Sequence, residues 1–253
     1  MIFVIPMAGD SLRFRDAGYL RPKFRLMAHG APVFDHAVRS FAAYFRDDTF
    51  LFAVRGEESA RFVEKRCEAL GMRRAAIVAL DSATAGQADT VLRALEQARI
   101  DSAESIAIFN IDTFRPGYRK PPVVDDRRYA GYLEVFRGSG SGWSFVAPDP
   151  LLEGDVTEVV EKEPISTLCS TGLYFFRHAG DFRWAYNNPA PPRSSAERRE
   201  RFVAPLYNAL IARGDRVALQ LIDVDEVIFC GTPVEYEQVL ASDNVGQRLR
   251  ATA

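Results

Sequence analysis

Apolar positions in the first half of the chain recur in two alternating rhythms. Short, nearly continuous apolar runs at residues 2–6 (IFVIP), 49–54 (TFLFAV), 75–80 (AAIVAL) and 105–110 (SIAIFN) have the length and composition of buried strands. Between them the spacing opens to a helical period. Residues 32–44 put Val33, Ala37, Val38, Phe41 and Ala42 on one face. Residues 57–70 read as a second helix closed by Gly71, and 88–98 as a third. Repeated strand–helix units of this kind predict an α/β fold, with a mostly parallel sheet and helices on both faces.

The second half is less regular. Strand patterns occur at 129–136 and 143–146, residues 155–161 alternate as an edge hairpin does, and 171–176 form a buried strand. Residues 187–201, rich in Pro, Ser, Arg and Glu, read as a mobile surface loop. A short helix over 203–213, a strand over 217–222 and a closing helix from Pro233 to about Leu240 follow. No repeat or linker divides the chain, so one domain is expected over 1–253.

Composition narrows the function classes. Lys+Arg of 32 against Asp+Glu of 34 leaves a net charge of −2, which removes a global basic field for a nucleic-acid backbone. The apolar runs are too short to span a membrane, and no basic region precedes the first, so it reads as a strand and not a signal peptide. Cys67, Cys169 and Cys230 are scattered, as reduced thiols of a cytoplasmic protein would be.

Ligands of open parallel sheets collect at the carboxyl ends of the strands. There the first strand breaks into Ala8-Gly9-Asp10-Ser11-Leu12-Arg13-Phe14, followed by Arg21-Pro22-Lys23-Phe24. A small-residue loop that lets backbone approach, with an arginine and a lysine for phosphates, is a way to hold a nucleoside triphosphate. The plain alternative is a tight strand-to-helix turn. Asp112, after the fourth strand, suits Mg²⁺, which takes one or two carboxylates with phosphate oxygens and water; the alternative is a turn cap. Residues 83–89 (ATAGQAD) offer a second small-residue loop, with an ordinary N-cap at Thr84 as the alternative. In Val160-Glu161-Lys162-Glu163-Pro164 a lysine could meet a phosphate monoester while Glu161 accepts sugar hydroxyls; the alternative is a solvated charge run.

In this order the segments resemble nucleotidyltransferases of the sugar-nucleotide pyrophosphorylase type, in the branch found in capsule and surface-polysaccharide gene clusters. The resemblance rests on residues 5–9 (IPMAG), Arg13-Phe14, Ala17-Gly18-Tyr19, Pro22-Lys23, the Gly86 loop running into Thr90-Val91-Leu92, and the strand ending at Asp112. Gly142-Trp143-Ser144, Glu161-Lys162, Thr171-Gly172-Leu173-Tyr174, residues 203–208 and Gly231-Thr232-Pro233 continue it. It implies a Rossmann-like three-layer fold of the GT-A kind. Residues 1–120 would form the nucleotide-binding half and 121–253 the acceptor-binding half.

The resemblance also implies roles. Ala8, Gly9, Asp10 and Ser11 would hold the nucleotide with Gly86 and Gln87 by the base, and Asp112 would bind Mg²⁺. Arg13, Lys23 and Lys162 would act on the phosphates, and Glu161, Lys162, Thr171 and Gly172 would face the acceptor. Partners would be an NTP, with CTP the favoured base, and a phosphorylated small molecule; nucleic acid and membrane are not expected, and a homo-oligomer is left open, related enzymes often associating through their later strands. The three histidines lie outside every motif, consistent with a nucleophile that needs no base.

Three departures stand out: Ser11-Leu12 where the loop has a second glycine, Phe24-Arg25 where proline-leucine is usual, and Phe229 where a second metal-binding aspartate lies. Asp223, Asp225 and Glu200 are candidates to replace that ligand. A glycosyltransferase, whose Asp-x-Asp pair is here Ile111-Asp112-Thr113, and a non-catalytic nucleotide-binding relative are the competing readings. The enzyme reading expects a cleft rich in positive charge, able to bring two mutually repelling anions together.

Overall fold

Nine strands make one sheet in a computed structural model that describes residues 1–251; the last two positions of the expected domain lie outside the described residues. They are β1 (Ile2–Met7), β2 (Thr49–Arg55), β3 (Ala75–Leu80), β4 (Ile106–Phe109), β5 (Tyr129–Arg137), β6 (Ser144–Pro148), β7 (Val156–Glu161), β8 (Leu168–Phe176) and β9 (Arg216–Leu221). The order is β7-β6-β8-β4-β1-β2-β3, with β5 also paired to β8 and β9 to β5. Seven strands run one way and only β7 and β8 oppose them, so the sheet is mixed and mostly parallel.

Alternation along β1 divides the interior. Phe3, Ile5 and Met7 enter one core, while Ile2 and Val4 enter the other. Helices α2 (Val33–Arg39) and α3 (Gly56–Ala69) cover the first face, and α4 (Gln87–Gln97), α5 (Ala179–Asn187) and α6 (Tyr207–Arg213) the second. The first core is aromatic: the Phe3 ring lies 4.5 Å from Phe41 and 5.0 Å from Phe50. Each such side chain contributes about 1.5–3 kcal/mol on burial.

Chain order places the site. From β1 the chain moves outward to β2 and β3, then returns to set β4 on the opposite side of β1. Strand order reverses between β1 and β4, and a crevice opens at their carboxyl ends. The long β8 closes it from the far side and carries a bulge. Ser170 faces Val135 and Tyr174 faces Leu133, so Thr171, Gly172 and Leu173 share a single opposite residue, Glu134. Gly172 has φ +90°, which a side chain would strain.

Three segments differ from the sequence expectation. The helix expected over 32–44 stops at Arg39 and resumes as a 3₁₀ turn at Ala42–Tyr44; at the break the Ser40 hydroxyl donates back to the His36 carbonyl (3.4 Å) and accepts the Arg115 N–H (2.8 Å). A terminal helix, α8 (Asp243–Ala251), follows α7 (Pro233–Ala241); its charged sequence buries only Gly246 and Leu249 and gave no apolar stripe to read. Of residues 187–201, Asn187 ends α5 and 188–201 are irregular, as expected, but they are not a free surface loop. The Arg201 N–H donates to Ala85 and the Ala88 N–H to Arg201, both at 2.8 Å, and Ser194 is buried. Among the described residues no helix is long and apolar enough to cross a membrane.

Candidate active site

The loop after β1 turns at Ser11, whose backbone is left-handed (φ 50°, ψ 39°), and enters the short helix α1 (Leu12–Asp16). Phe14 pins that helix: it is buried, with ring contacts to Tyr19 at 5.6 Å and Tyr236 at 6.1 Å. Arg13 faces the cleft and makes no ion pair among the described residues. Asp10 is paired instead with Arg55, the last residue of β2.

Lys23 opens a 3₁₀ turn, Lys23–Arg25, in which Phe24 is buried. Arg25 lies over the Phe62 ring at 4.9 Å and pairs with Glu58 at 2.5 Å, so the Phe24-Arg25 departure serves packing and points Arg25 away from Asp112. The Lys23 ammonium donates to the Asp112 carboxylate. The Asp112 backbone is held by the Cys230 N–H (2.8 Å) and by a two-stranded ribbon of Thr113–Phe114 with Ile228–Phe229. Beyond it the N-terminus of α7 carries a reciprocal cap: Glu235 accepts the Gly231 and Thr232 N–H groups at 2.9 and 2.8 Å. A Cβ on Gly231 would stand 2.9 Å from Asp112 Oδ2 and 3.6 Å from Glu235 Oε2, so the two carboxylates converge on one glycine. Burial first, then those two carboxylates, push the Cys230 thiol up to about 12, which makes it inert as a nucleophile.

Gly86, and not Thr84, caps α4; Thr84 bonds the Thr90 hydroxyl at 2.8 Å. Gly86 has φ +133°, and a Cβ there would come within 2.5 Å of Glu200 Cγ and 2.7 Å of the Arg201 backbone. The loop is braced by Asp89, which accepts the Ala85 N–H (2.8 Å) and pairs with Arg93 (2.8 Å). Burial works against the Asp89 charge, but those partners hold its carboxyl below the usual range. The Gln87 amide donates to Asn110, whose side chain presses on Gly172.

On the acceptor side Glu161 is buried and accepts the Ser144 hydroxyl. Burial raises its pKa, against the opposing pull of Ser144 and Lys162. Lys162 is left-handed (φ 58°); its N–H donates to Trp143 at 2.8 Å, and its ammonium sits 4.5 Å from the Phe202 ring and 3.9 Å from Glu161. Of the acidic pair flanking Lys162, only Glu163 is solvated. Thr171 lies at the cleft wall, but its hydroxyl donates to Glu134 (2.9 Å).

Phe229 stands 4.6 Å from the Trp143 ring and 5.0 Å from Phe136, an aromatic wall where an acid was expected. Asp223 and Asp225 are spent on a turn: Asp223 caps Val224–Glu226 and accepts the Asp225 N–H. Glu200 reaches the cleft.

All thirteen expected site residues, Ala8, Gly9, Asp10, Ser11, Arg13, Lys23, Gly86, Gln87, Asp112, Glu161, Lys162, Thr171 and Gly172, line one cleft of about 690 Å³. The expected excess of positive charge is absent. Arg13, Lys23, Arg55 and Lys162 face Asp10, Asp112, Glu161, Glu200 and Glu235, which is four cations against five acids and a formal balance of −1. None of the three histidines lines it: His29 and His36 bond backbone carbonyls at 2.7 Å and His178 one at 3.1 Å.

Sequence reasoning missed Arg55, Asn110, Glu235 and Phe202. Arg55 and Asn110 were findable, since Arg55 ends and Asn110 follows a strand whose carboxyl end faces the crevice. Glu235 was signalled by its spacing of three from Thr232. Phe202 carried no signal.

Neither a protein-family model nor a curated protein matches the chain. Among solved structures it is similar to the nucleoside-diphosphate-sugar pyrophosphorylase from Vibrio cholerae RC9, with 46% identity over 96% of this chain and 100% of that one and a TM-score of 0.88. The inositol-1-phosphate CTP transferase from T. maritima shares the fold at 13% identity, over 99% of this chain and 95% of that one (TM-score 0.73). So does the UTP-bound UGPase from Acinetobacter baumannii, at 14% identity over 99% and 97% (TM-score 0.66). Identity of 46% along the full length of the Vibrio protein is more than a shared fold requires. The chain accordingly belongs to the nucleoside-diphosphate-sugar pyrophosphorylases, enzymes of the sugar-phosphate nucleotidyltransferase type.

Proposed function

We infer that the protein joins an NTP to a sugar phosphate or similar phosphorylated metabolite, with Mg²⁺, and releases pyrophosphate. The observation that carries the reading is the contact between Lys23 and Asp112 across the point where strand order reverses, within one cleft that also holds Arg13 and Lys162. A phosphate oxygen of the acceptor would attack the α-phosphorus in line, and the bond to the β-phosphate would break. A phosphate monoester is a competent nucleophile near neutral pH, so no general base is needed, in keeping with a cleft that no histidine lines.

The chain's own part is positioning and charge. Ala8, Gly9, Asp10 and Ser11 would hold the nucleotide, with Arg13 and Lys23 on its phosphates and Gly86 and Gln87 beside the base. Lys162 would take the acceptor phosphate, and buried Glu161, with the Thr171–Gly172 backbone, would accept the acceptor's hydroxyls. Asp112 and Glu235 give the donor set of a Mg²⁺ shared with substrate, one or two carboxylates and no more. Among the described residues no group of three or more His, Cys, Asp or Glu side chains could hold a metal. Mg²⁺ bound there would neutralise charge on the phosphates, which a cleft of balance −1 cannot do by itself.

The family resemblance favours CTP and a role in surface-polysaccharide synthesis, and the three scattered cysteines, read as reduced thiols, favour a cytoplasmic location. The test is pyrophosphate release with four NTPs against a panel of phosphorylated metabolites in Mg²⁺. Release from at least one pair, abolished by EDTA, is the expected result; tight NTP binding with no release from any pair overturns it.

A further inference from the structure

Beneath the cleft floor lies a buried ion pair that the reaction as read above does not use. Arg115 and Glu134 are 5% and 2% exposed, and the Arg115 fork donates from Nε and Nη2 to both Glu134 oxygens at 2.9 and 3.1 Å. A pair so deep is weak support for stability, because desolvating both charges offsets most of their attraction. Its geometry suggests another role. Glu134 is the one β5 residue opposite the three-residue bulge of β8, and the Thr171 hydroxyl in that bulge donates to it at 2.9 Å. Arg115 is three residues beyond Asp112, and its Nη1 donates to the Glu226 carbonyl at 2.7 Å, three residues before Phe229. The bulge continues the chain of contacts: the Gly172 carbonyl accepts the Asn110 N–H (3.2 Å), and Asn110 accepts the Gln87 amide.

We propose that Arg115 and Glu134 are positioning residues that fix the Asp112 segment, the Thr171–Gly172 bulge and the Phe229 strand relative to one another. They thereby set the separation between the nucleotide and the acceptor. The proposal rests on the transfer reaction proposed above. A pair kept only for folding would not need to bond all three cleft-lining segments, and an apolar pair of similar volume would serve as well.

That alternative gives the experiment. The double variant Arg115→Met/Glu134→Met removes both buried charges together and so leaves no buried orphaned ion, since the Glu226 carboxylate, 3.6 Å from Arg115, is exposed. Thr171→Val cuts the link to the bulge while keeping the pair intact. Both are assayed beside the wild type with the NTP and acceptor found by the pyrophosphate screen, and each substrate's Kd is measured alone by calorimetry. The expected double variant unfolds at or above the wild-type temperature and binds each substrate singly within about twofold of wild type. Its kcat falls roughly 100-fold, the loss that about 1 Å of misplacement brings. Thr171→Val should lose about five- to tenfold in kcat with the same Kd values. Full kcat in a folded double variant overturns the proposal, as does loss of kcat that merely follows weakened binding of one substrate. If the double variant fails to fold, Thr171→Val decides alone: wild-type kcat overturns the positioning role, and the selective kcat loss sustains it. A wild type that releases no pyrophosphate overturns the transfer reading, and this proposal with it.

Discussion

Replacing Asp112 with Asn should do two opposite things to nucleotide binding, and the split tests the charge arrangement directly. In the free protein the Lys23 ammonium is spent on Asp112. A unit pair at about 4 Å in a medium of effective dielectric near 20 interacts by about 4 kcal/mol. The two side chains are 25% and 18% exposed, so solvent screening and the ordering of a long lysine reduce the usable part to roughly 1–1.5 kcal/mol. An incoming triphosphate must displace that contact. Asp112→Asn removes the competitor and shifts the cleft from a formal −1 to 0, so NTP binding in EDTA should tighten by roughly five- to tenfold. With Mg²⁺ the same change removes the carboxylate proposed to hold the ion. Turnover should then fall by roughly 10²–10³, the scale of losing one preorganised electrostatic contact, about 2.7–4 kcal/mol. Calorimetry of NTP in EDTA and pyrophosphate release in Mg²⁺ measure the two arms. Weaker metal-free binding in the variant refutes the competition argument, and undiminished turnover refutes the metal assignment.

Three further changes test separate parts of the site. Lys162→Ala keeps a non-glycine residue at φ 58°, so backbone strain is unchanged and only the ammonium is lost; acceptor KM should rise roughly 10- to 100-fold in steady-state assays, with NTP KM unmoved. Gly86→Ala should destabilise the fold by at least about 2 kcal/mol in urea unfolding, from the strained φ and the 2.5–2.7 Å overlaps. Adding Glu200→Ala should not rescue it, because the Arg201 backbone still occupies the space. His36 is buried, with Nε2 donating to the Ala28 carbonyl and Nδ1 without a partner. Burial chiefly lowers its pKa against the Ala28 bond, with Arg39 also lowering it, so the folded state holds it neutral below the unfolded value of about 6.5. Its contribution is therefore complete above about pH 6.5 and is lost as pH falls through the lower folded value. Thermal unfolding should weaken from pH 7 to pH 5 in the wild type, and a His36→Leu variant should lack that part of the slope.

The first half of the fold was legible because β1, β2 and β4 are buried on both faces and the edge strand β3 is apolar along its length, so all four announce themselves as apolar runs. The site residues were legible for a related reason: strand ends are easy to find in such a sheet, and ligands gather there. What only the structure shows is of another kind. Glu161 and Lys162 look like a solvated charge run, because sequence cannot show that β7 turns Glu161 inward against Ser144. Thr171 lies in a motif, yet which way its hydroxyl points depends on the bulge around Gly172 and on a carboxylate 37 positions away. Arg115 and Glu134 break the rule that charges lie outside, so no periodicity could nominate them. The charge balance of the cleft was misjudged because attention went to cations in motifs, while Glu200 and Glu235 arrive from segments with no phosphate-binding pattern.

That balance also changes the meaning of the departures at Ser11 and Phe229. The loop after β1 needs a left-handed residue at position 11, and Ser11 supplies one at about 1–2 kcal/mol more than glycine would. The turn is therefore kept; what changes is a small stability cost and a hydroxyl in the loop proposed to hold the phosphates. Phe229 removes a carboxylate from a cleft that already holds five acids, and Glu235, capped by its own helix, stands across Gly231 from Asp112. An aspartate at 229 would have left the cleft at −2, and of the four cations lining the cleft only Arg13 has no carboxylate partner among the described residues to answer it. Exchanging that acid for a ring packed on Trp143 lowers the repulsion against two phosphorylated substrates and turns one wall apolar. On the proposed reading the Phe229 departure alters the wall beside the acceptor, while the Ser11 departure touches the nucleotide loop and leaves its left-handed turn in place.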